Sequence, residues 1–302
     1  MTGGKGQAIR FKARMGGRGM GGVGYLLAKE GGESYKRSCM KADATAYESG
    51  WRHSWFLITE LVKRDFKSRY NRSVLGMLWC LLQPTLTMAL LYFVFSFFFK
   101  NSIPNFPVYL ISGIVFYQFF TETTTSAMLS IQANAGLIAK VKIPLWTYPT
   151  TQGVASLVNF ALALVPLLAV VLATRTPLRG AAWLLGYSTL TMLAFSLGVG
   201  FFLSSMSVLF HDVVFLWQFA CLLAMYATPV FYPDTMLLQG GGQLMLYLNP
   251  LYHYIHFSRT LLIEGAVPGW KEFAACALFA GLALAGGVWV FHSQKNKFVQ
   301  YL

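Results

Sequence analysis

Residues 61–84, LVKRDFKSRYNRSVLGMLWCLLQP, decide the fold, because a basic segment here runs directly into an apolar one. The basic side chains are Lys63, Arg64, Lys67, Arg69 and Arg72. The apolar run covers residues 74–99, more than the roughly 20 residues that an α-helix needs to cross about 30 Å of hydrocarbon. Because Lys and Arg are retained on the cytoplasmic side of short flanking segments, the residues before Val74 are predicted to lie inside.

The composition is that of a membrane protein. Of the 302 residues, 56% are hydrophobic and 12% are charged, against about 25% charged in soluble domains. The formal net charge of +13 could indicate binding to nucleic acid or to a membrane surface. Much of the basic excess precedes Val74, however, and the tendency of Lys and Arg to stay on the cytoplasmic side of a membrane explains it there. We therefore expect a membrane, and no nucleic acid, as partner. The four cysteines have no CxxC spacing, which predicts no metal or redox site.

Residues 1–50 are rich in glycine and basic side chains and show neither helical nor strand periodicity. Such a segment cannot bury enough apolar surface to offset its ordering entropy, so we expect a disordered N-terminal arm. Gly17, Gly19 and Gly22 match GxGxxG, but no predicted strand precedes them and no amphipathic helix follows, so low complexity explains the match. Met40 offers an alternative start for this chain.

Residues 51–70 form a predicted amphipathic helix. Its apolar residues recur at three- and four-residue spacing: Trp51, Trp55, Ile58, Leu61, Val62 and Phe66. Basic residues occupy the other faces. This pattern favours an interface helix that lies flat on the inner leaflet, with the tryptophans at the headgroup boundary. A solvated helix docked on protein is the alternative.

The apolar runs predict an all-α polytopic membrane protein with six transmembrane helices. The predicted spans are residues 74–99, 108–131, 150–173, 181–210, 213–232 and 273–291. Arg175 and Arg179 would lie outside, but the larger basic cluster before Val74 should dominate, so both termini are predicted to be cytoplasmic. The fourth span is rich in glycine and serine, and Gly198 and Gly200 mark a face where another helix can approach closely.

Two further stretches have a different pattern. Residues 132–149 contain two lysines and two prolines. Because proline restricts helix propagation, this pattern predicts a short cytoplasmic helix and a turn. Residues 234–270 mix apolar stretches with glycines, prolines and charges, and predict a re-entrant helical pair on the outer side, before the last span. His253 and His256 share a helical face there, but without a carboxylate or cysteine partner they make a poor metal site.

The second span carries an unusual polar cluster around Glu122. A charged side chain at membrane depth costs about 2.5–3.5 kcal/mol on insertion scales, so Glu122 must face protein, water or the membrane boundary. The cluster indicates either a wet pathway or a packed polar seam, since threonines also form hydrogen bonds between helices.

Three sequence blocks resemble a known family. A basic pair, an aspartate, SRY and then SVLGMLWCLLQP resemble the start of the membrane (permease) subunit of type-two ATP-binding-cassette exporters, in the branch that exports O-antigen, teichoic acid and related polysaccharides. Phe210, His211 and Asp212, followed by TPVFYP at 228–233, resemble a second block, with histidine in place of the usual arginine. LNPLYHYIHFSRTLL at 248–262 resembles a third. The resemblance covers nearly all of residues 51–302.

The resemblance implies a function and partners. It implies a homodimer with two ATPase subunits that moves lipid-linked polysaccharide across the bacterial inner membrane. The coupling helix of such exporters would correspond to 132–149, with these residues against the ATPase: Leu137, Lys140, Val141, Lys142 and Pro144. The interface helix would use these: Lys63, Arg64, Asp65, Lys67 and Arg69. The chain has no GxxxxGK[ST] loop, so ATP and Mg²⁺ are expected on the partner ATPase. We expect no cofactor and no catalytic residue on this chain.

Aromatic side chains on the first and fifth spans are candidates for a sugar path, because sugars stack their C–H faces on aromatic rings. The candidate path residues, with the polar Glu122, are Trp79, Phe93, Glu122, Tyr226, Phe231 and Tyr232. An exporter of drugs or small lipids is the main alternative. A membrane-embedded glycosyltransferase is less consistent with the sequence, since its carboxylates are isolated rather than clustered.

Overall fold

The computed structural model describes residues 51–70, 76, 78–99, 103–138, 143–176, 183–239 and 241–301. The predicted N-terminal arm, 1–50, lies outside these residues, as do Lys140, Val141 and Lys142. The unit described below begins at Ser54. Its helices are α1 (Trp51–Tyr70), α2 (Leu78–Phe99), α3 (Phe106–Ala133), α4 (Ala135–Ile138), α5 (Thr147–Ala173), α6 (Leu185–Leu209), α7 (Val213–Ala227), α8 (Thr235–Gln239), α9 (Gln243–Leu248), α10 (Pro250–Arg259) and α11 (Trp270–Tyr301), with a π-helical turn at Thr260–Glu264.

The described part of the chain is almost entirely helical and contains no β-strand, which confirms the all-α polytopic class. Among the described residues, four helices are by length and composition able to cross a membrane, namely α2, α5, α6 and α11. The 28-residue α3 is about 42 Å long, but its polar second half lowers its hydropathy. The 15-residue α7 is apolar and about 22 Å long. Each predicted span therefore falls on a helix, and the number of six spans stays a prediction.

The helix α7 ends at Ala227, five residues before the predicted limit of that span at residue 232. The cause is local. Thr228 has an extended backbone, with φ −102° and ψ 131°, and it precedes Pro229. Proline disfavours the helical conformation of the residue before it, so TPVFYP forms a turn and bends rather than a last turn of α7.

The helix α3 is the centre of the bundle. Nineteen of its 28 residues are buried, and it packs against α2, α5, α6, α7 and α10. Its hydrophobic residues surround the helix axis instead of forming one stripe, as expected for a helix enclosed by others. The helix α2 is the opposite case, since most of its large apolar side chains are exposed. In a membrane protein such a face contacts lipid or another subunit.

The helices α6 and α11 pack most extensively against each other, and glycines permit this contact. A Cβ atom at Gly198 would overlap the backbone of Ala283, and one at Gly287 would overlap the carbonyl group of Gly198. A Cβ atom at Gly200 would lie 2.7 Å from the Cβ of Ala127 on α3. The predicted close-packing face of the fourth span is thereby confirmed.

Hydrogen bonds between helices define two ends of the bundle. At one end, called here the Arg259 end, the hydroxyl of Tyr109 at the start of α3 donates to the carbonyl of Tyr232 beyond α7 (2.8 Å). At the opposite end, called the Asp65 end, the amide of Gln132 at the end of α3 donates to the carbonyl of Ser207 near the end of α6 (2.6 Å). Successive long helices thus run up and down, as a polytopic membrane protein requires.

The region 234–270 contains more than the predicted helical pair. Two short helices, α8 and α9, precede α10, and α10 continues without a break into the π-helical turn. Asn249 starts α10 as its N-cap, because its side chain accepts a hydrogen bond from the backbone N–H of Leu251 (3.0 Å). Most of α10 and the turn is buried against α3, α6 and α11. Gly265, with φ 62°, ends the segment.

Candidate transport and coupling sites

The Asp65 end carries a polar cluster that joins α1 to both flanks of the predicted coupling loop. Arg64 donates to the carboxylate of Asp65 (2.8 Å) and to the side-chain oxygen of Asn134 (2.8 Å). The other carboxylate oxygen of Asp65 accepts from the amide of Gln152 (2.7 Å). Asn134 follows α3 directly and Gln152 lies in the first turns of α5. These four side chains, the polar clamp, therefore fix α1 against both ends of residues 132–149.

The apolar stripe predicted for α1 is divided between two environments. Ile58 and Leu61 are buried against the bundle, whereas Trp55 and Phe56 are more than half exposed. The helix is thus docked on protein along one edge, as in the alternative given above, and its position on the inner leaflet stays a prediction. The exposed aromatic edge still has the composition expected at a headgroup boundary.

The remaining interface-helix candidates do not join the polar clamp. Lys63 forms an exposed ion pair with Glu60 (2.8 Å), and Lys67 is exposed. The side chain of Arg69 lies outside the described residues. Lys63 and Lys67 are therefore exposed at the surface, whereas Arg64 and Asp65 connect α1 to the rest of the bundle.

The described parts of the predicted coupling segment, residues 132–138 and 143–149, contain a short helix and a turn, as expected from its prolines. The helix α4 begins directly after Asn134, whose carbonyl accepts from the N–H of Leu137 (2.9 Å). On the other side, the carbonyl of Pro144 accepts from the hydroxyl of Thr147 (2.6 Å) at the start of α5. Leu137 and Pro144 are half-buried. The structure describes these two candidates, and contact with an ATPase stays a prediction.

A cavity of about 560 Å³ opens between the first turns of α2 and the middle of α3 and of α5. Its polar lining includes Gln118, Thr121, Glu122, Thr125, Ser126 and Asn159, and Trp79 lies in its wall. The carboxylate of Glu122 accepts from the amide of Asn159 on α5 (2.6 Å). The volume falls within the roughly 300–1,000 Å³ typical of ligand sites. The polar cluster of the second span therefore borders open volume.

The threonines of the same cluster are divided between two roles. Thr123 and Thr124 are buried, and their hydroxyls donate to the carbonyls of Phe119 (2.7 Å) and Phe120 (2.9 Å) in their own helix. They satisfy their polar atoms locally, which threonine often does in membrane helices. One face of α3 is accordingly packed and the other lines the cavity. The packed polar seam therefore describes part of this cluster, and a wet pathway stays a prediction.

The candidate path aromatics do not form one line. Phe93 on α2 and Tyr226 on α7 are 70% and 61% exposed, and Trp79 is 50% exposed beside the cavity. Phe231 is buried, in contrast, and its ring stacks on Phe95 of α2 (5.1 Å between centroids). Tyr232 is half-buried and donates from its hydroxyl to the carbonyl of Tyr226 (2.7 Å). Phe231 thus packs the connection after α7 onto α2, and Tyr232 ties it back to the end of α7.

A buried arginine organises the Arg259 end, and sequence reasoning missed its role. Arg259 is 7% exposed, and its guanidinium donates to the carbonyls of Pro229 (2.7 Å), Val230 (2.9 Å) and Tyr109 (3.1 Å). It also lies over the ring of Tyr109, 3.4 Å from the centroid. Gly113 makes room, because a Cβ atom there would lie 2.6 Å from Nη2 of Arg259. The available signal was a lone arginine within a largely apolar segment, HFSRTLLI at 256–263.

The two histidines of α10 have structural partners. His256 lies 3.3 Å from the carboxylate of Glu272 on α11, and this hydrogen bond raises the pKa of His256. The ring of His253 bonds the carbonyl of Tyr247 (3.0 Å) and stacks on Phe279. Among the described residues, no group of three or more histidine, cysteine or acidic side chains could hold a metal ion. Both histidines connect α10 to its neighbours.

Comparison with known proteins places this architecture in a class. Residues 57–263, more than half of the chain, match the family described as ABC-2 type transporter. This chain belongs to that family, as the resemblance in its sequence predicted, and it is a transporter membrane subunit.

Individual relatives match over more of the chain than the family does. The chain is 29% identical over 245 residues to an O-antigen export system permease protein of Myxococcus xanthus. This match covers 81% of the chain and 94% of the relative. It is 28% identical over 249 residues to a protein of the same name from Klebsiella pneumoniae, and this match covers 82% of the chain and 95% of the relative. A polysialic acid transport protein of Escherichia coli is 23% identical over 247 residues, and this match covers 78% of the chain and 95% of the relative.

Proposed function

We propose that this chain is the membrane subunit of an ATP-driven exporter that moves lipid-linked polysaccharide from the cytoplasmic to the outer side of the inner membrane. The observation that carries the proposal is the match over about four fifths of the chain to proteins named for O-antigen export and polysialic acid transport. The matched length covers nearly the whole of those relatives, so the likeness extends to the complete bundle and not to one motif.

The energy for this transport comes from a separate ATPase. The sequence contains no phosphate-binding loop of the GxxxxGK[ST] type, so the nucleotide and its Mg²⁺ belong on the partner. The half-buried Leu137 on α4 lies beside the polar clamp and is the centre of the proposed docking surface. Movement imposed there reaches α1 through Asn134 and Gln152, because both flanks of the loop are tied to Arg64 and Asp65.

Two copies of the chain form the path, with two ATPase subunits at the Asp65 end. The helices α2 and α7 support this arrangement, since both expose long rows of apolar and aromatic side chains. Phe93 and Tyr226 lie on these exposed faces, where a second copy would place the aromatic side chains along the sugar chain. The lipid anchor can remain at the apolar face of α2, since the polymer alone requires a polar environment.

An exporter of drugs or small lipids is the competing function. The cavity of about 560 Å³ supports that alternative, because its size suits a small ligand and its wall combines Trp79 with polar groups. The relatives named for polysaccharide transport favour the polymer. The two functions differ in what remains inside the cell when the exporter is absent.

Deleting the gene and restoring it from a plasmid tests the proposal. We expect surface polysaccharide, measured by gel electrophoresis of extracted glycolipids and by lectin staining of intact cells, to disappear. Lipid-linked polymer should accumulate inside the cell, and both effects should be reversed by the plasmid. Unchanged surface polysaccharide, with increased sensitivity to amphiphilic drugs, would instead establish the small-molecule exporter.

A further inference from the structure

The accessible surface in the middle of α3 lies at the cavity of about 560 Å³. Between residues 108 and 128, five residues of this helix are not fully buried, and all five line the cavity: Gln118, Thr121, Glu122, Thr125 and Ser126. Their spacing of three, four, seven and eight residues places them on one helical face. This polar face therefore borders the cavity, between helices that are predicted to span the membrane.

Part of the cavity wall is polar but has no hydrogen-bond partner. Four lining side chains bond no other group among the residues that the structure describes: Gln83, Gln118, Thr125 and Ser126. The carboxylate of Glu122, in contrast, accepts from the amide of Asn159 (2.6 Å). A polar group without a partner is costly between membrane-spanning helices, where bulk water is absent. The four side chains, called here the open polar set, therefore require water or a ligand.

The chemistry of the open polar set selects a neutral ligand. Its amides and hydroxyls both donate and accept hydrogen bonds, whereas a carboxylate only accepts and a guanidinium or ammonium group only donates. An anion such as phosphate would face the carboxylate of Glu122. A metal ion is disfavoured, because the described residues contain no group of three metal-binding side chains. A ligand rich in hydroxyl groups satisfies all four side chains.

The rest of the cavity wall is apolar. Trp79 of α2, Phe119 of α3 and Phe160 of α5 contribute aromatic side chains to it. The ligand must therefore combine hydroxyl groups with an apolar surface. A sugar ring meets both conditions, since its hydroxyl groups lie at the edge and its C–H groups on the faces. The volume falls within the roughly 300–1,000 Å³ of ligand sites.

We propose that this cavity binds neutral sugar residues of the lipid-linked polysaccharide inside a single subunit. The open polar set exchanges hydrogen bonds with the sugar hydroxyls, and Trp79 contacts a C–H face of the ring. This site rests on the proposed function and adds to it a binding site that one copy of the chain forms alone. The path between two copies would receive the polymer from this site.

The position of the cavity assigns it to the beginning of transport. The last turns of α2 lie at the Arg259 end, where Phe95 stacks on Phe231, so its first turns lie towards the Asp65 end. In the predicted orientation that end is inside. Trp79 is 50% exposed, so the cavity borders the exposed apolar face of α2, where the lipid anchor can remain. A sugar bound here has not yet crossed the membrane.

Binding to the purified full-length chain tests the site. The probe is a set of oligosaccharides released by mild acid from the surface polysaccharide of the same cells. Affinity is measured by saturation-transfer difference NMR in a detergent without a sugar head group. The double variant Gln118→Leu/Thr125→Val removes two hydrogen-bonding groups, so we expect binding about tenfold weaker than in the wild type. Thr125→Val alone, which keeps the shape of the side chain, should weaken binding about threefold and serves if the double variant unfolds.

Thr124→Val is the matched control at the neighbouring position. The hydroxyl of Thr124 is buried and donates to the carbonyl of Phe120 in its own helix (2.9 Å), away from the cavity. This variant should bind the oligosaccharides as the wild type does. Thermal unfolding of each variant shows whether the fold is kept.

Three results would overturn the site: no oligosaccharide binding to the wild type, unchanged binding in the cavity variants, or equal weakening by Thr124→Val. Binding of tetraphenylphosphonium that the cavity variants weaken, without oligosaccharide binding, would assign the cavity to small amphiphiles instead. The gene-deletion experiment distinguishes the two proposals. If the deletion removes surface polysaccharide and the purified chain binds none of the oligosaccharides, the site alone is wrong. If surface polysaccharide survives the deletion, the exporter proposal fails as well.

Discussion

At the scale of single residues, the contact between α6 and α11 depends on the absence of two side chains. Gly198→Ala places a methyl group into the backbone of α11, where no flexible side chain can move aside. We expect a loss of roughly 2–3 kcal/mol, the upper part of the range for overpacking. Gly186→Ala is the matched control on the same helix, because a Cβ atom there meets no described atom within 4 Å. Thermal unfolding in detergent should separate the two variants, and equal melting temperatures would contradict the packing.

The second residue prediction concerns pH. His256 faces Glu272 on α11, Asp234 before α8 and Glu264 after α10, with Arg259 on its own helix. The hydrogen bond to Glu272 raises the pKa of His256 in the folded protein above its ordinary value of 6.5. A group with a raised folded pKa contributes stability that is complete below the ordinary pKa and is lost as the pH rises through the folded pKa.

His256→Gln should therefore lower the melting temperature more at pH 5.5 than at pH 8.5. The pair is about one third exposed, so the difference should be modest, roughly 1–2 °C, as expected for a screened ion pair. His253→Gln is the control, because the ring of His253 faces a carbonyl instead of a carboxylate. A pH-independent difference between wild type and His256→Gln would show that the ion pair does not form.

At the scale of elements, the polar clamp is the connection through which movement of the proposed coupling loop would reach α1. Asp65→Asn keeps the shape of the side chain but removes the charge that Arg64 and Gln152 share. We expect export to fall at least about fivefold, the lower limit of a coupling energy of 1–3 kcal/mol, while ATP hydrolysis continues. Lys63→Gln, which alters an exposed pair on the same helix, should leave export unchanged. Equal export by the two variants would remove the clamp from the mechanism.

The positions of the helices were predictable from sequence, but their partners were not. Long apolar runs marked most helix limits to within about five residues, although α11 continues ten residues beyond the predicted limit at 291. The proline of TPVFYP could have placed the end of α7 correctly, since the residue before proline leaves the helical conformation. Whether Ile58 faced lipid or protein could not be read from spacing, because both environments favour apolar residues. The role of Arg259 was hidden for a similar reason, since its partners are backbone carbonyls from 29 to 150 positions away.

At the scale of the whole molecule, the two ends face opposite sides of the membrane, with the Asp65 end predicted inside. On a background without cysteine, Val267→Cys in the loop before α11 should react with an impermeant maleimide in intact spheroplasts, because Val267 is 63% exposed at the Arg259 end. Lys67→Cys, exposed on α1, should react only after permeabilisation. The opposite labelling pattern would invert the topology.

The central claim is that this chain is a transport subunit driven by a separate ATPase that docks on residues 132–149. Leu137 lies on α4 beside the clamp, and replacing it with aspartate places an unpaired carboxylate in the proposed contact. The most direct measurement is co-purification of the ATPase with membranes that carry Leu137→Asp, with export of polysaccharide followed in the same cells. Lys295→Asp, near the C-terminal end of α11, is the control for a changed charge. We predict that Leu137→Asp inserts normally but loses both the ATPase and export, while Lys295→Asp keeps both. Retention of the ATPase and of export by Leu137→Asp would contradict the account.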